Sequence, residues 1–223
     1  MARGRLIVFE GVEGAGKSTQ LDRLAGHLAR RGIAHRAFRE PGGTPLGDEI
    51  RRVLLDPASH VSPRAEALLF LASRAELVSR ELRPALAAGV VVLLDRFFLS
   101  TYAYQIAGRE LPSADVRAAN LIATEGLVPD LTLLFTLSAS EGLARARRRG
   151  GRDRIELSDD AFHDEVERAF AAFTTPEWQR THEECGPIVA VDAAGSEREV
   201  EARVLDAITS RFGELRALVG AVA

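Results

Sequence analysis

Residues 6–28 read as three consecutive pieces of one structural unit. Leu6-Ile7-Val8-Phe9 is a short apolar run that fits a buried strand. Gly11-Val12-Glu13-Gly14-Ala15-Gly16-Lys17-Ser18 satisfies G-x-x-x-x-G-K-[ST] at each fixed position. Behind it, Leu21, Leu24, Ala25 and Leu28 recur at helical spacing. Strand, glycine-rich turn and helix in that order make a phosphate-binding loop, in which loop amides and a helix N-terminus form a nest for phosphate oxygens. Lys17 is the one lysine in the chain, against twenty-eight arginines. A guanidinium is planar and bulky, whereas an ammonium is a point charge on a flexible stem that reaches between phosphates inside a tight loop. Ser18 is placed to hold Mg²⁺ beside those phosphates.

The 223 residues suffice for one core and a small mobile insertion, so a single domain over 1–213 with a tail at 214–223 is expected. The net charge of −3 argues against a general nucleic-acid binder. A lone cysteine, Cys185, allows no intramolecular disulfide and suggests a reducing, cytoplasmic setting. The apolar run after the basic start lasts only four residues, too short for a signal peptide. No stretch is long and apolar enough to span a bilayer, so no membrane partner is expected. The five histidines (27, 35, 60, 163 and 182) show no metal-ligand spacing.

Apolar runs predict strands at 6–10, about 34–39, 90–95, 131–137 and 187–191, and helical patterns separate them at 17–31, 46–55, 63–88, 113–126, 140–148, 160–184 and 197–212. The strands near 90–95 and 131–137 are almost continuously apolar, as in strands covered on both faces. The alternation predicts an α/β fold: a phosphate-loop three-layer sandwich with a five-stranded parallel sheet and helices on both faces. Ligands in such sheets bind beyond the carboxyl ends of the strands. Three segments fall there. Arg39-Glu40-Pro41-Gly42-Gly43-Thr44-Pro45 is a loop fixed by prolines and glycines. Asp95 ends an apolar strand, where it would orient Mg²⁺ through water or else cap a helix; Arg96 beside it offers a fork for a second phosphate. Arg145, Arg147, Arg148, Arg149, Arg152 and Arg154 with Gly150 and Gly151 read as an arginine lid at about 145–158, or as a solvated helix face or RNA patch.

In order and identity these segments resemble the bacterial thymidylate kinase family over about residues 5 to 212. The match includes Phe9 to Thr19, Arg39-Glu40-Pro41-Gly42-Gly43-Thr44, Asp95-Arg96 with Ser100-Thr101 and Ala103-Tyr104-Gln105, Pro129-Asp130-Leu131-Thr132, and Asp153-Arg154-Ile155-Glu156. The resemblance implies a kinase that moves the γ-phosphate of ATP to dTMP with Mg²⁺, and a homodimer. It implies that Gly11, Val12, Glu13, Gly14, Ala15, Gly16, Lys17, Ser18, Thr19 and Arg154 hold ATP, with Lys17, Glu13, Arg96 and Arg149 catalytic. It implies that Glu13, Arg39, Pro41, Arg51, Phe70, Arg74, Arg96, Ser100, Thr101 and Gln105 hold dTMP, with Phe70 stacked on thymine and Arg74 donating to its O4. From the residues alone, Phe70 in Leu68-Leu69-Phe70-Leu71 reads instead as core. The metal would sit on Ser18 and, through water, Asp95. Gly14, with an arginine-rich lid, matches the family form whose catalytic arginine lies in the lid. The alternatives are a kinase for another monophosphate and a nucleotide-binding regulator. A guanine switch with Asn-Lys-x-Asp is excluded, because Lys17 is the only lysine.

Overall fold

A computed structural model of the chain describes residues 3–138, 141–142, 145, 153–213 and 215. Five parallel strands, β1 (Leu6–Gly11), β2 (His35–Arg39), β3 (Val91–Asp95), β4 (Leu131–Thr136) and β5 (Ile188–Asp192), form one sheet in the order β2-β3-β1-β4-β5. The central strands β1 and β4 are buried almost throughout and β3 up to its last residue, as their unbroken apolar runs require; the edge strands β2 and β5 are half exposed. The chain leaves β1 toward β2 and β3 on one side and then crosses to β4 and β5 on the other, so β1 lies at the topological switch.

Helices cover both faces. On one, α1 (Lys17–Arg30) lies against β1, β2 and β3 and packs beside the C-terminal helix, Glu197–Arg211, which covers β4 and β5. The other face carries α2 (Pro45–Leu55), α3 (Pro63–Leu77), α4 (Arg83–Ala87), α5 (Phe98–Thr101), α6 (Ser113–Thr124) and α7 (Asp160–Ala172). Register places the site. Asp95 of β3 lies opposite both Phe9 of β1 and Arg39 of β2, so the segments singled out in the sequence emerge from one sheet edge.

Three helices differ from the periodicity reading. The helix expected over 63–88 widens into a π turn at Val78–Leu82 before α4. Pro84 has no N–H for the carbonyl four residues back and its ring crowds it, so a wider turn relieves the clash. The helix expected over 160–184 stops at Ala172; Pro176 begins a short helix, α8 (Pro176–Arg180), capped by Thr175 accepting from the Trp178 amide. After β3 an unexpected helix, α5, runs into a π-helical stretch, Tyr102–Gly108. Phe98 with Tyr102 and Leu99 with Ala103, at i and i+4, were its signal. Of the helix expected at 140–148, Glu141, Gly142 and Arg145 are helical and the other positions lie outside the described residues.

Candidate active site

The glycine-rich loop leaves β1 and returns as α1, with Lys17 in the first turn. Lys17 is 6% exposed. Its Nζ donates to the carbonyls of Gly11 (3.0 Å) and Val12 (2.8 Å). Those neutral acceptors do not compensate the charge. Burial, followed by the repulsion of Arg96, pushes the ammonium down to about 8, while Glu13, Asp95 and Glu10 pull the other way. A phosphate would supply the missing counter-charge. Gly14 has φ 74°, and a Cβ there would lie 2.0 Å from the carbonyl oxygen of Gly142. No side chain fits at position 14 while the loop rests on that backbone.

At the end of β3, Ser18 Oγ donates to Asp95 Oδ2 at 2.6 Å, and Asp95 Oδ1 is buried without a partner. A hydroxyl beside a carboxylate with a spare oxygen is a hard-oxygen donor set. It suits a cation that keeps most of its waters and takes phosphate oxygens as further ligands. Among the described residues no group of three or more His, Cys, Asp or Glu side chains could hold a metal ion.

Two clefts adjoin here. One, of about 140 Å³, is lined by Gly14, Gly16, Lys17, Ser18, Thr19, Arg39 and Asp95; the other, of about 230 Å³, by Pro41, Leu55, Phe70, Arg74, Ser100, Thr101, Tyr104, Gln105, Asp153, Ile155, Glu156 and His163. Glu13, Glu40, Arg51 and Arg96 line both. Arg96 has the left-handed φ of 73°, and its fork donates to Glu13 (2.9 Å) and Ser100 Oγ (3.0 Å) while its guanidinium lies 5.3 Å from the Tyr104 ring centre. Burial opposes its charge, and Tyr104, Glu13, Asp95 and Glu10 outweigh burial, so it stays cationic. Arg51 donates to the Pro41 carbonyl at 3.0 Å. Burial first, then Arg39, lowers its proton affinity, which marks a site short of negative charge. Phe70 is half-buried and faces the larger cleft, not the core.

Arg74 is where the structure departs from expectation. It is 2% exposed, and its five N–H donors are all engaged: Nε with Glu40 (2.7 Å), Nη1 with Thr101 (2.8 Å) and Asn120 (2.6 Å), Nη2 with Glu40 and the Phe97 carbonyl (2.8 Å). With these bonds the residue ties the β2 loop, the β3 loop and α6 together at the wall of the larger cleft. Arg154, expected at ATP, does not line the phosphate cleft. Its Nε donates to the Leu54 carbonyl (2.8 Å) and its Nη2 to Glu66 (2.7 Å), because a carboxylate that is 1% exposed demands cations. Arg149, Arg147, Arg148 and Arg152 lie outside the described residues.

Four buried groups had no role assigned from sequence. Glu10, fully buried, accepts from the amides of Phe97 (2.7 Å) and Ser100 (3.0 Å) and from Ser100 Oγ (2.6 Å), fixing the start of α5 below Arg96. Glu40 anchors Arg74, Asn120 accepts from it, and Glu66 gathers Gln105, Arg109 and Arg154. Glu10 within an apolar strand and Glu66 before Ala67-Leu68-Leu69 were legible as polar groups on apolar elements.

A family model described as thymidylate kinase matches residues 9–203. The chain is similar to the thymidylate kinase of Deinococcus radiodurans, 46% identical over 211 residues, covering 95% of this chain and 99% of that one. It is similar to that of an Exiguobacterium species, 44% identical over 210 residues with 94% and 96% covered, and to that of Pseudomonas fluorescens SBW25, 48% identical over 178 residues with 79% and 85% covered.

Proposed function

We propose, since the chain belongs to the thymidylate kinase family, that it transfers the γ-phosphate of ATP to dTMP, giving ADP and dTDP. The observation that carries this reading is the pair of adjoining clefts with Glu13, Glu40, Arg51 and Arg96 in their common wall. The glycine-rich cleft suits the phosphates of ATP; the cleft with Phe70 suits a flat base and a sugar. A donor γ-phosphate and an acceptor phosphate then meet at the shared arginines. Holding two reactants in line replaces a bimolecular encounter with a step inside one complex.

Little proton chemistry is required. The acceptor phosphate is already ionised at neutral pH, and one of its oxygens forms the new bond to the γ-phosphorus as the bond to the β-phosphate oxygen breaks. Lys17 and the loop amides take the charge that gathers on the β–γ bridge; Arg96 and Arg51 hold the acceptor phosphate against its own repulsion; Glu13 holds the Arg96 fork at 2.9 Å. Ser18, and Asp95 through water, would hold Mg²⁺, which would supply positive charge beside the donor phosphates. The arginines of 147–152, Arg149 among them, would supply the remaining charge.

We assign the homodimer to the face formed by α2, α3 and α6, where Leu46 (53% exposed), Leu68 (63%), Leu121 and Ile122 (79%) present apolar side chains on helices packed against one another. No helix among the described residues is long and apolar enough to cross a membrane. The single buried thiol of Cys185, pushed up by burial, fits a cytoplasmic setting. The test is ADP release with ATP, Mg²⁺ and a panel of monophosphates. dTMP turns over fastest, with dUMP lower by roughly 10–200-fold for the lost methyl contact. Faster turnover of dCMP or of a purine monophosphate would move the function to another monophosphate kinase.

A further inference from the structure

Buried polar atoms without partners are costly, and in a folded chain they cluster where a ligand completes them. Six such side-chain atoms occur among the described residues. Three belong to residues that line the two clefts: Asp95 Oδ1, Glu40 Oε1 and His163 Nε2. Asp95 and Glu40 sit at the carboxyl edge of the sheet. His163 comes from another element, and no property of the glycine-rich loop or its neighbours accounts for it.

His163 lies in the first turn of α7, which begins when the Phe162 amide donates to Asp159 Oδ1 at 2.8 Å. The rotational phase of that turn is fixed by Phe162. Its ring sits 4.2 Å from the Arg109 guanidinium and 6.1 Å from the Tyr104 ring, and a Cβ on Gly108 would lie 2.5 Å from it. With Phe162 clamped, the next residue is set toward the larger cleft, where the His163 ring stands edge-on to Phe162 at 5.4 Å. The cleft's phosphate end is marked by Arg51 and Arg96, which it shares with the glycine-rich cleft; His163 lines only the larger cleft, with Phe70, Gln105 and Ile155.

We propose that His163 is a contact residue for the nucleoside part of the acceptor, its Nε2 exchanging a hydrogen bond with a sugar hydroxyl or a base-edge atom. The inference rests on reading the larger cleft as the acceptor site. Removing that nitrogen leaves the ligand atom unpaired, so acceptor affinity falls while ATP affinity and the charge at the phosphates are untouched.

The test compares wild type, His163→Phe and His163→Gln by calorimetric binding of dTMP, thymidine and ATP, by steady-state kinetics and by thermal melting. His163→Phe raises the dTMP Kd and KM about tenfold, raises the thymidine Kd by the same factor, leaves ATP binding and kcat within about twofold, and does not lower Tm, because a strained orphan atom has been removed. His163→Gln, whose amide reaches a similar point, regains part of the loss. Unchanged dTMP affinity in His163→Phe overturns the assignment, as does a loss confined to dTMP with thymidine unaffected, which would put the contact at the phosphate. A fall in Tm with equal losses of ATP and dTMP binding also overturns it. Wild-type enzyme that binds no dTMP sinks the acceptor-site reading itself, a separate outcome.

Discussion

Lys17 carries a sharp prediction, because the ligand-free fold holds its ammonium without a counter-ion. Its pKa stands at about 8 in the fold against an ordinary 10.5. Below pH 8 the lysine is protonated in both folded and unfolded chains, so the fold bears the full penalty of the buried charge, about 3 kcal/mol. As pH rises from about 8 toward 10.5 the folded chain releases the proton first and the penalty disappears, so this group alone makes the ligand-free protein more stable with rising pH. Nucleotide binding reverses the preference. The phosphates of ATP supply the counter-charge and return the lysine to its protonated form, so binding in this range takes up a proton. At a pKa of about 8 the free lysine is about 90% protonated at pH 7 and about 10% at pH 9, so an affinity that requires the ammonium falls about tenfold across that interval. The assay is calorimetric titration with ATP at pH 9 in two buffers of different ionisation enthalpy. The expected uptake is close to one proton per site, since ATP itself is fully ionised there. Lys17→Ala should lose the uptake together with most of the affinity. Affinity that is flat from pH 7 to 9, or binding at pH 9 without proton uptake, would refute the argument.

Three further outcomes are expected. Lys17→Arg should fold but lose phosphoryl transfer, measured by ADP release, because a planar fork cannot fold back into a loop whose carbonyls lie within 3.0 Å of the ammonium. Arg74→Ala should lower stability in urea titration by roughly 3–5 kcal/mol, because it strands the buried Glu40 carboxyl; an effect confined to base selectivity with stability unchanged would return Arg74 to the role of base reader. Gly14→Ala should lower kcat/KM for both substrates, since its Cβ meets the Gly142 carbonyl at 2.0 Å and the loop must shift to admit it; wild-type kinetics would remove the contact between the loop and Gly142.

The sequence by itself determined the architecture and the place of the chemistry. Continuous apolar runs at 90–95 and 131–137 required a sheet covered on both faces, and the alternation of strand and helix made it parallel. The glycine pattern around Lys17 identified the phosphate loop, because its spacing is a local property of a strand–turn–helix unit. Asp95 and Arg39 could be assigned to one edge from strand ends alone, and β3 pairing places them opposite each other. What tertiary structure decided is which polar groups meet. Arg74 stands four residues from Phe70 on one helix face and was expected at thymine O4, yet Glu40, Phe97, Thr101 and Asn120 arrive from three other segments to occupy its donors. Arg154 belongs to the lid by sequence and to Glu66 by contact, eighty-eight positions away. Such pairings depend on long-range closure and on the demand of a desolvated carboxylate for cations, neither of which leaves a periodic trace in the chain.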